Sequence, residues 1–352
     1  MPESIPQEHL STLAYLWRQY EAQPRRLAFG AQTLDEWRAW HAALRAALAE
    51  CLGGFPADRC ALASRLVEVV EEPDYRREKV VFYSEPGVAV PCYVLIPRTA
   101  APPHRPVIAL HGHGSDGARL VLGLAQGDEE LAHMQALNYD YGRQLAQRGF
   151  MVVAPVLRDL GERMEPTSAF RVGAGVWEKS CPMAALVGIL LGRSLAGLRA
   201  WDVMRTVDYL RTRPEPMIDQ IGLLGFSGGG AVALYSAVLD ERLSAVVIGS
   251  AFCTYRASIM AIEHCPDNYV PGLLRHAEMS DIAGLIAPRP LLIEHGTQDE
   301  IFPIAGVRQA YHDLSQVYAL LGCPERLDAD FFPGGHRFGG RKAFSVLERW
   351  LA

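Results

Sequence analysis

A strand–turn–helix pattern around one serine constrains this 352-residue chain more than any other feature. In the segment IGLLGFSGGGAVALYSA (221–237), a continuous apolar run gives way to a helical pattern at Ser227. The GxSxG spacing, with a strand before it and a helix after it, predicts a sharp turn that lifts the serine hydroxyl above the edge of a sheet. Glycines suit the flanking positions because a Cβ would collide with the tightly packed backbone. Ser227 is therefore the candidate nucleophile.

The residues that would activate this serine follow it along the chain. A serine hydroxyl is a weak nucleophile and needs a base, usually a histidine oriented by a carboxylate. In this architecture the order is serine, then Asp or Glu, then His, each after a strand. Asp299 follows the apolar run PLLIEHG, with Glu300 as the adjacent alternative, and His336 follows the run LDADFF. We expect Asp299, rather than Glu300, and His336 to complete a catalytic triad with Ser227.

The loop after an earlier strand is expected to help form an oxyanion hole. The run VIALHG (107–112) leads directly into His113. The predicted hole uses the backbone N–H of Gly228 together with the backbone N–H of His113. An alternative interpretation makes His111 and His113 a pair of metal ligands, but the neighbouring sequence supplies no convincing third ligand. We therefore expect neither a metal nor another cofactor.

Strand-like and helix-like segments alternate along most of the chain. After about residue 76, nearly continuous apolar runs alternate with amphipathic helical patterns. This alternation predicts an α/β fold with a mostly parallel central sheet and helices on both faces. The first two runs, 80–84 and 88–97, lie close together and predict an antiparallel hairpin.

The chain is predicted to consist of a helical extension and one catalytic domain. Residues 1–75 are read as the N-terminal helical extension, because 33–52 carries an apolar stripe at helical spacing. Residues 76–352 are read as the catalytic domain. Two connections, about 157–193 and 253–287, are too long for ordinary loops and are expected to be lid-like insertions near the active site.

Composition, charge and cysteine spacing indicate which partners and which cellular location to expect for this chain. The net charge is −6 and there is no long basic run, so no nucleic-acid partner is expected. The longest apolar run, 184–192, is shorter than the ~20 residues of a membrane span. The seven cysteines are scattered without a CxxC pair, which indicates reduced thiols. The N-terminus predicts no signal peptide, so we expect a cytoplasmic protein. A homo-oligomer is an open alternative to a monomer.

These motifs resemble those of the α/β-hydrolase superfamily, and within it the bacterial esterases similar to dienelactone hydrolases and acetyl xylan esterases. The resemblance covers about residues 76–352. It rests on LHGHG (110–114), WDVMRTVDYLRTRPE (201–215) leading into the serine motif, IAPRPLLIEHGTQDEIFP (286–303) and PGGHRF (333–338). It implies an α/β-hydrolase fold and a serine esterase that acts on a small-molecule ester without a cofactor. Ser227 stands where true dienelactone hydrolases carry a cysteine.

Specificity is expected to come mainly from the two long connections, since loops at the carboxyl edge of the sheet surround the serine. The candidate substrate contacts are Phe226, Arg158, Trp177, His264 and Tyr269. The alternatives to an esterase are a peptidase or amidase, a carbon–carbon bond hydrolase and a non-enzymatic binding protein of the same fold. Oligopeptidases that resemble this domain usually add a β-propeller, for which the first 75 residues leave no room. A binding protein would typically have lost a member of the triad.

Overall fold

The computed structural model describes residues 7–114, 117–165 and 180–352. The strands are β1 (Arg65–Glu71), β2 (Tyr75–Glu85), β3 (Val88–Pro97), β4 (Pro106–Leu110), β5 (Met151–Pro155), β6 (Ile221–Phe226), β7 (Leu243–Gly249), β8 (Leu291–Gly296) and β9 (Leu327–Phe332). The helices are α1 (Gln7–Leu10), α2 (Thr12–Ala22), α3 (Leu34–Cys51), α4 (Gly127–Leu137), α5 (Tyr141–Gln147), α6 (Ser180–Leu190), α7 (Leu195–Leu210), α8 (Gly228–Leu239), α9 (Met279–Gly284), α10 (Ile304–Leu320) and α11 (Ala343–Trp350).

The strands form one sheet in the order β1-β2-β3-β5-β4-β6-β7-β8-β9. The pairs from β1 to β5 are antiparallel, and those from β5 through β4 to β9 are parallel. Strands β4, β5, β6 and β8 are buried along their whole length, as their continuous apolar sequences require. The structure confirms the predicted mostly parallel sheet and the predicted hairpin, which β2 and β3 form.

Helices cover both faces of this sheet. Successive residues of a strand point to opposite faces, and in β4 the side chain of Ile108 joins one apolar cluster whereas that of Val107 joins the other. The first cluster also takes residues from α3, α7, α8 and α10, and the second takes residues from α5 and α11. The carboxyl ends of the parallel strands are thereby held at one edge, where the serine motif and the two downstream loops meet.

The predicted helical extension over 1–75 is wrong at its end. Residues 65–71 form strand β1, which pairs antiparallel with β2 and adds an edge strand to the sheet. The reason lies in the β-branched valines of RLVEVVE, which favour an extended chain over the helix that its Glu and Arg content suggests. Helix α3 does form as predicted, and its stripe of Trp40, Leu44 and Leu48 is buried in the main apolar cluster.

The two long connections contain short helices. Helix α6 lies in the first connection, whose residues 166–179 fall outside the described ranges, and α9 lies in the second. Among the described residues no single helix is long and apolar enough to cross a membrane. Only α6 and α7 taken together reach that length and composition, and the chain bends by 101° between them.

Candidate active site

The serine motif forms the predicted sharp turn between β6 and α8. Ser227 has a positive φ of 54°, and its N–H donates to the carbonyl of Gly249 on the next strand. A Cβ on Gly225 would lie 2.1 Å from the carbonyl oxygen of Gly229, and a Cβ on Gly229 would lie 2.2 Å from that of Leu110. Both positions therefore accept only glycine without a backbone shift, which is the physical reason for the GxSxG spacing.

His336 and Asp299 lie in line behind the serine. The Oγ of Ser227 is 2.8 Å from Nε2 of His336, and Nδ1 of His336 is 2.8 Å from Oδ2 of Asp299. The Ser227 hydroxyl donates to Nε2, and the Nδ1–H of His336 donates to the carboxylate, which fixes the tautomer of the imidazole. The structure thus brings together the three residues that the sequence order predicted as a triad.

The carboxylate of Asp299 is buried and fully bonded. Its second oxygen, Oδ1, accepts the backbone N–H groups of Ile301 at 2.9 Å and Phe302 at 3.1 Å. Burial raises the pKa of Asp299, but the hydrogen bond from His336 and the neighbouring imidazoles outweigh it, so the pKa lies below its ordinary value. Asp299 is therefore a carboxylate at neutral pH. Its neighbour Glu300 is exposed, so Asp299 is the acidic residue that contacts the histidine.

A second buried carboxylate holds the loop that carries His336. Glu294 on β8 accepts the backbone N–H of Gly339 at 2.7 Å and that of Gly340 at 2.8 Å. Burial raises the pKa of Glu294 to about 7, and Asp330 adds to this rise while the two N–H groups oppose it. Glu294 was not among the predicted site residues, although an acidic residue within a strand expected to be covered on both faces could have indicated it.

The region expected to bind an oxyanion lies beside Ser227. Gly228 is the first residue of α8, where backbone N–H groups have no acceptor within the helix. The ring of His113 packs on it, since a Cβ on Gly228 would lie 2.6 Å from Nδ1 of His113. Gly112 passes so close to the serine that its Cβ would lie 3.2 Å from that of Ser227. The two predicted N–H donors thus belong to segments that meet at the nucleophile.

A cavity of about 580 Å³ opens in front of this arrangement. Its inner wall near the triad is aromatic, and the ring of Phe226 lies 5.1 Å and that of Phe302 6.0 Å from the His336 ring, between centroids. Polar side chains also line it, namely His133, Glu263, His264 and Asn268. Phe226 and His264, two of the residues predicted to contact substrate, therefore line the cavity. Phe302 was missed, although its place three residues after Asp299 could have indicated it.

Two predicted substrate contacts lie elsewhere. Arg158 binds both carboxylate oxygens of Asp202, at 2.9 and 2.8 Å, and also Glu85 at 2.6 Å. Its guanidinium is thus held in an ion-pair network with these two carboxylates. Tyr269 donates to the carbonyl of Ile259 at 3.0 Å and is not part of the cavity lining. The structure therefore places neither side chain in the lining of the cavity beside the triad. Trp177 lies outside the described residues.

His111 does not form a metal site with His113. It is fully buried, its Nδ1 donates to the carbonyl of Gly112 at 2.8 Å, and its Nε2 accepts the N–H of Leu157 at 3.0 Å. Burial lowers its pKa to about 3, so the ring is neutral. Both nitrogens of His111 are therefore occupied within the protein.

Comparison with known proteins assigns this chain to a family. A profile of the Abhydrolase family matches residues 5–328. A Bacillus subtilis (strain 168) protein named "Putative hydrolase YtaP" is 25% identical over 313 residues, which is 87% of this chain and 98% of that protein. The family match includes most of residues 1–75, which the sequence resemblance had left out.

Solved structures share the fold at low sequence identity. A putative acetyl xylan esterase from Bacteroides fragilis NCTC 9343 has a TM-score of 0.74 at 20% identity, over 92% of this chain and 82% of that one. A glucuronoyl esterase from Solibacter usitatus has a TM-score of 0.68 at 14% identity, over 93% and 97% of the two chains. These matches confirm the predicted α/β-hydrolase fold.

Proposed function

Because this chain belongs to the Abhydrolase family, we propose that it is a serine hydrolase that cleaves a carboxylic ester. The observation that carries the proposal is the continuous line of contacts from Ser227 through His336 to Asp299, with 2.8 Å at each step. This is the arrangement that raises the reactivity of a serine hydroxyl, because a neutral imidazole accepts its proton and a carboxylate stabilises the resulting imidazolium.

The reaction proceeds through an acyl-enzyme. Oγ of Ser227 attacks the ester carbonyl carbon while its proton passes to Nε2 of His336. The tetrahedral intermediate then breaks the bond to the alcohol oxygen, and His336 returns the proton to that leaving group. Water, activated by the same imidazole, attacks the acyl carbon next and releases the carboxylic acid with Ser227 restored. Asp299 remains ionised and holds the imidazole in the required tautomer throughout.

The negative charge that develops on the carbonyl oxygen is stabilised by backbone N–H groups. Gly228 supplies one at the N-terminus of α8, where the helix dipole also favours negative charge. His113 supplies the second from the loop after β4. Donors fixed in advance by the backbone are effective because they need no reorganisation as the charge forms, and removing one from such a hole costs about 10²–10³ in kcat.

The substrate is a small ester with a short acyl group and a polar, hydroxyl-bearing part. A cavity of about 580 Å³ suits a small molecule. Its aromatic wall at Phe226 and Phe302 lies against the triad, whereas His133, Glu263, His264 and Asn268 add hydrogen-bonding groups. The names of the acetyl xylan esterase and the glucuronoyl esterase, which share the fold, support a sugar ester.

A panel of esters tests this proposal. We expect p-nitrophenyl acetate to be hydrolysed with a kcat/KM at least about tenfold above that of p-nitrophenyl octanoate, and an acetylated xylose to be hydrolysed as well, because His133, Glu263, His264 and Asn268 add hydrogen-bonding groups to the cavity lining. Ser227→Ala serves as the control for background hydrolysis. A preference for octanoate would contradict the substrate class, and cleavage of peptides but not of any ester would contradict the proposed reaction.

A further inference from the structure

Four potential metal ligands meet beside the active site, and the proposed hydrolysis uses none of their side chains. They are His113, Cys181, Cys265 and Asp267, and one ligand atom from each lies within 4.8 Å of every other. They come from three segments: the loop after β4, helix α6, and the connection after β7. A histidine, two cysteines and an aspartate are the donors that zinc takes in tetrahedral sites.

We propose that this cluster binds one Zn²⁺ ion in a tetrahedral structural site that ties the three segments together next to Ser227. The ligands are an imidazole nitrogen of His113, the sulfurs of Cys181 and Cys265, and a carboxylate oxygen of Asp267. The proposal does not depend on the hydrolytic function, because the metal would act on the position of loops rather than on the substrate.

An unpartnered oxygen points to a missing ligand. The side chain of Asp267 is only 3% exposed. Its Oδ2 contacts Nε2 of His113 at 2.7 Å and also pairs with Arg199, but its Oδ1 has no hydrogen-bond partner among the described residues. A buried carboxylate oxygen without a partner costs free energy. A cation bound at Oδ1 would satisfy that atom while Oδ2 keeps Arg199.

The surrounding charge also fits a divalent cation. Arg199 is 1% exposed, pairs with Asp267, and donates from Nη2 to the sulfur of Cys181 at 3.5 Å. Donors of this kind around the ligands are common at metal sites, because they stabilise the charged ligand. With two thiolates, one carboxylate, one guanidinium and a neutral His113, a divalent ion gives a neutral cluster. Burial lowers the pKa of His113, but Asp267 outweighs it and raises that pKa to about 9, so binding at neutral pH releases the two thiol protons and the imidazolium proton of His113 to solvent.

The two sulfurs admit a rival interpretation, a disulfide. Their separation is 2.9 Å, and both cysteines are free thiols. A tetrahedral zinc with Zn–S bonds of about 2.3 Å would hold the two sulfurs about 3.8 Å apart. Binding therefore requires the sulfurs to move apart by roughly 1 Å. The metal is favoured because a disulfide uses only two of the four converging groups. A disulfide would leave Oδ1 of Asp267 without a partner and would not involve the imidazole of His113.

The position of the cluster suggests what the ion would do. His113 packs on Gly228 and, with Cys265, lines the cavity, which gives an ion a route from solvent. Cys181 lies at the start of α6, which buries little apolar surface in a small cluster with Ala185 and Leu195. A metal that joins α6 to the other two segments would hold this side of the cavity in place where apolar packing alone is slight.

Metal analysis and cobalt substitution test the proposal. Wild-type protein produced with added zinc should contain about one zinc per chain by elemental mass spectrometry, and the cobalt-substituted protein should show the intense visible bands of tetrahedral Co²⁺ with a thiolate charge-transfer band. Cys265→Ser should weaken zinc binding at least about tenfold and reduce the charge-transfer band. Cys60→Ser is the matched control, a half-buried cysteine outside the cluster, and should change neither.

Several results would overturn the site. They are a protein without zinc in which Cys181 and Cys265 form a disulfide, a cobalt spectrum without a thiolate band, and equal zinc affinity of the wild type and Cys265→Ser. If Cys265→Ser does not fold, the cobalt spectrum of the wild type decides by itself.

Discussion

Replacing Asp299 with asparagine is expected to lower kcat by close to 10⁴-fold, at the upper end of the ~10²–10⁴ range for the acid of a triad. The amide oxygen can still accept the N–H groups of Ile301 and Phe302, as Oδ1 of Asp299 does. The amide NH₂ would then face Nδ1 of His336. Since Nδ1 must accept that hydrogen bond, the imidazole carries its proton on Nε2 and cannot take one from Ser227.

The expected loss corresponds to about 5 kcal/mol of transition-state stabilisation. This loss is larger than the loss expected if the imidazole were only displaced, because the wrong tautomer reverses the direction of the hydrogen bond between His336 and Ser227. The fold should survive, since the side chain keeps its size and its two backbone bonds. We therefore expect a loss of kcat with little change in KM and only a small change in Tm.

The assay compares Asp299→Asn with Glu300→Gln on p-nitrophenyl acetate, with circular dichroism to check that each variant is folded. Glu300 is exposed and one residue away, so its neutralisation should cost less than about tenfold. A large loss in Glu300→Gln with a small loss in Asp299→Asn would refute the reasoning. So would an equal effect of both, which would indicate that charge near the site matters and orientation does not.

Two further predictions concern the support of the site. Burial raises the pKa of Glu294 to about 7, so folding favours its protonated form; this contribution is complete below about pH 4.5 and is lost as pH rises through about 7. Relative to Glu294→Gln, the wild type should therefore lose ~3 kcal/mol of unfolding free energy between pH 4.5 and 8, as measured by urea denaturation. Unfolding free energies of the two proteins that change in parallel with pH would contradict this. Gly229→Ala, whose Cβ would lie 2.2 Å from the carbonyl oxygen of Leu110, should cost ~3 kcal/mol or more. A Cβ on Gly30 would have no atom within 4 Å, so Gly30→Ala should leave Tm nearly unchanged. Equal Tm values for Gly229→Ala and Gly30→Ala would contradict this prediction.

The predictable part of the site is the part that follows from chain order. Ser227, Asp299 and His336 each come directly after a parallel strand, and the carboxyl ends of such strands meet at one edge of the sheet. Knowing the strands therefore places these residues near one another before any contact is known. The same reasoning placed His113 beside the serine.

The unpredicted part depends on tertiary contacts that a linear pattern does not carry. Arg158 lies in a long connection, and its position next to the buried Asp202 follows from how α7 packs. The four groups of the proposed zinc site have no recognisable spacing, since Cys181 and Cys265 are 84 residues apart. Strand β1 was assigned to the helical extension although its β-branched valines favour an extended chain, because its pairing with β2 is a tertiary contact that the sequence does not show.

A fluorophosphonate probe tests directly whether Ser227 is the nucleophile of a serine hydrolase. Such a probe forms a covalent bond with a serine whose hydroxyl is activated by a neighbouring base. We expect one label per chain, mapped to Ser227 by peptide mass spectrometry, and its loss in Ser227→Ala with the fold intact. Undiminished labelling of Ser227→Ala, or a wild type that is folded and hydrolyses esters without being labelled, would contradict it.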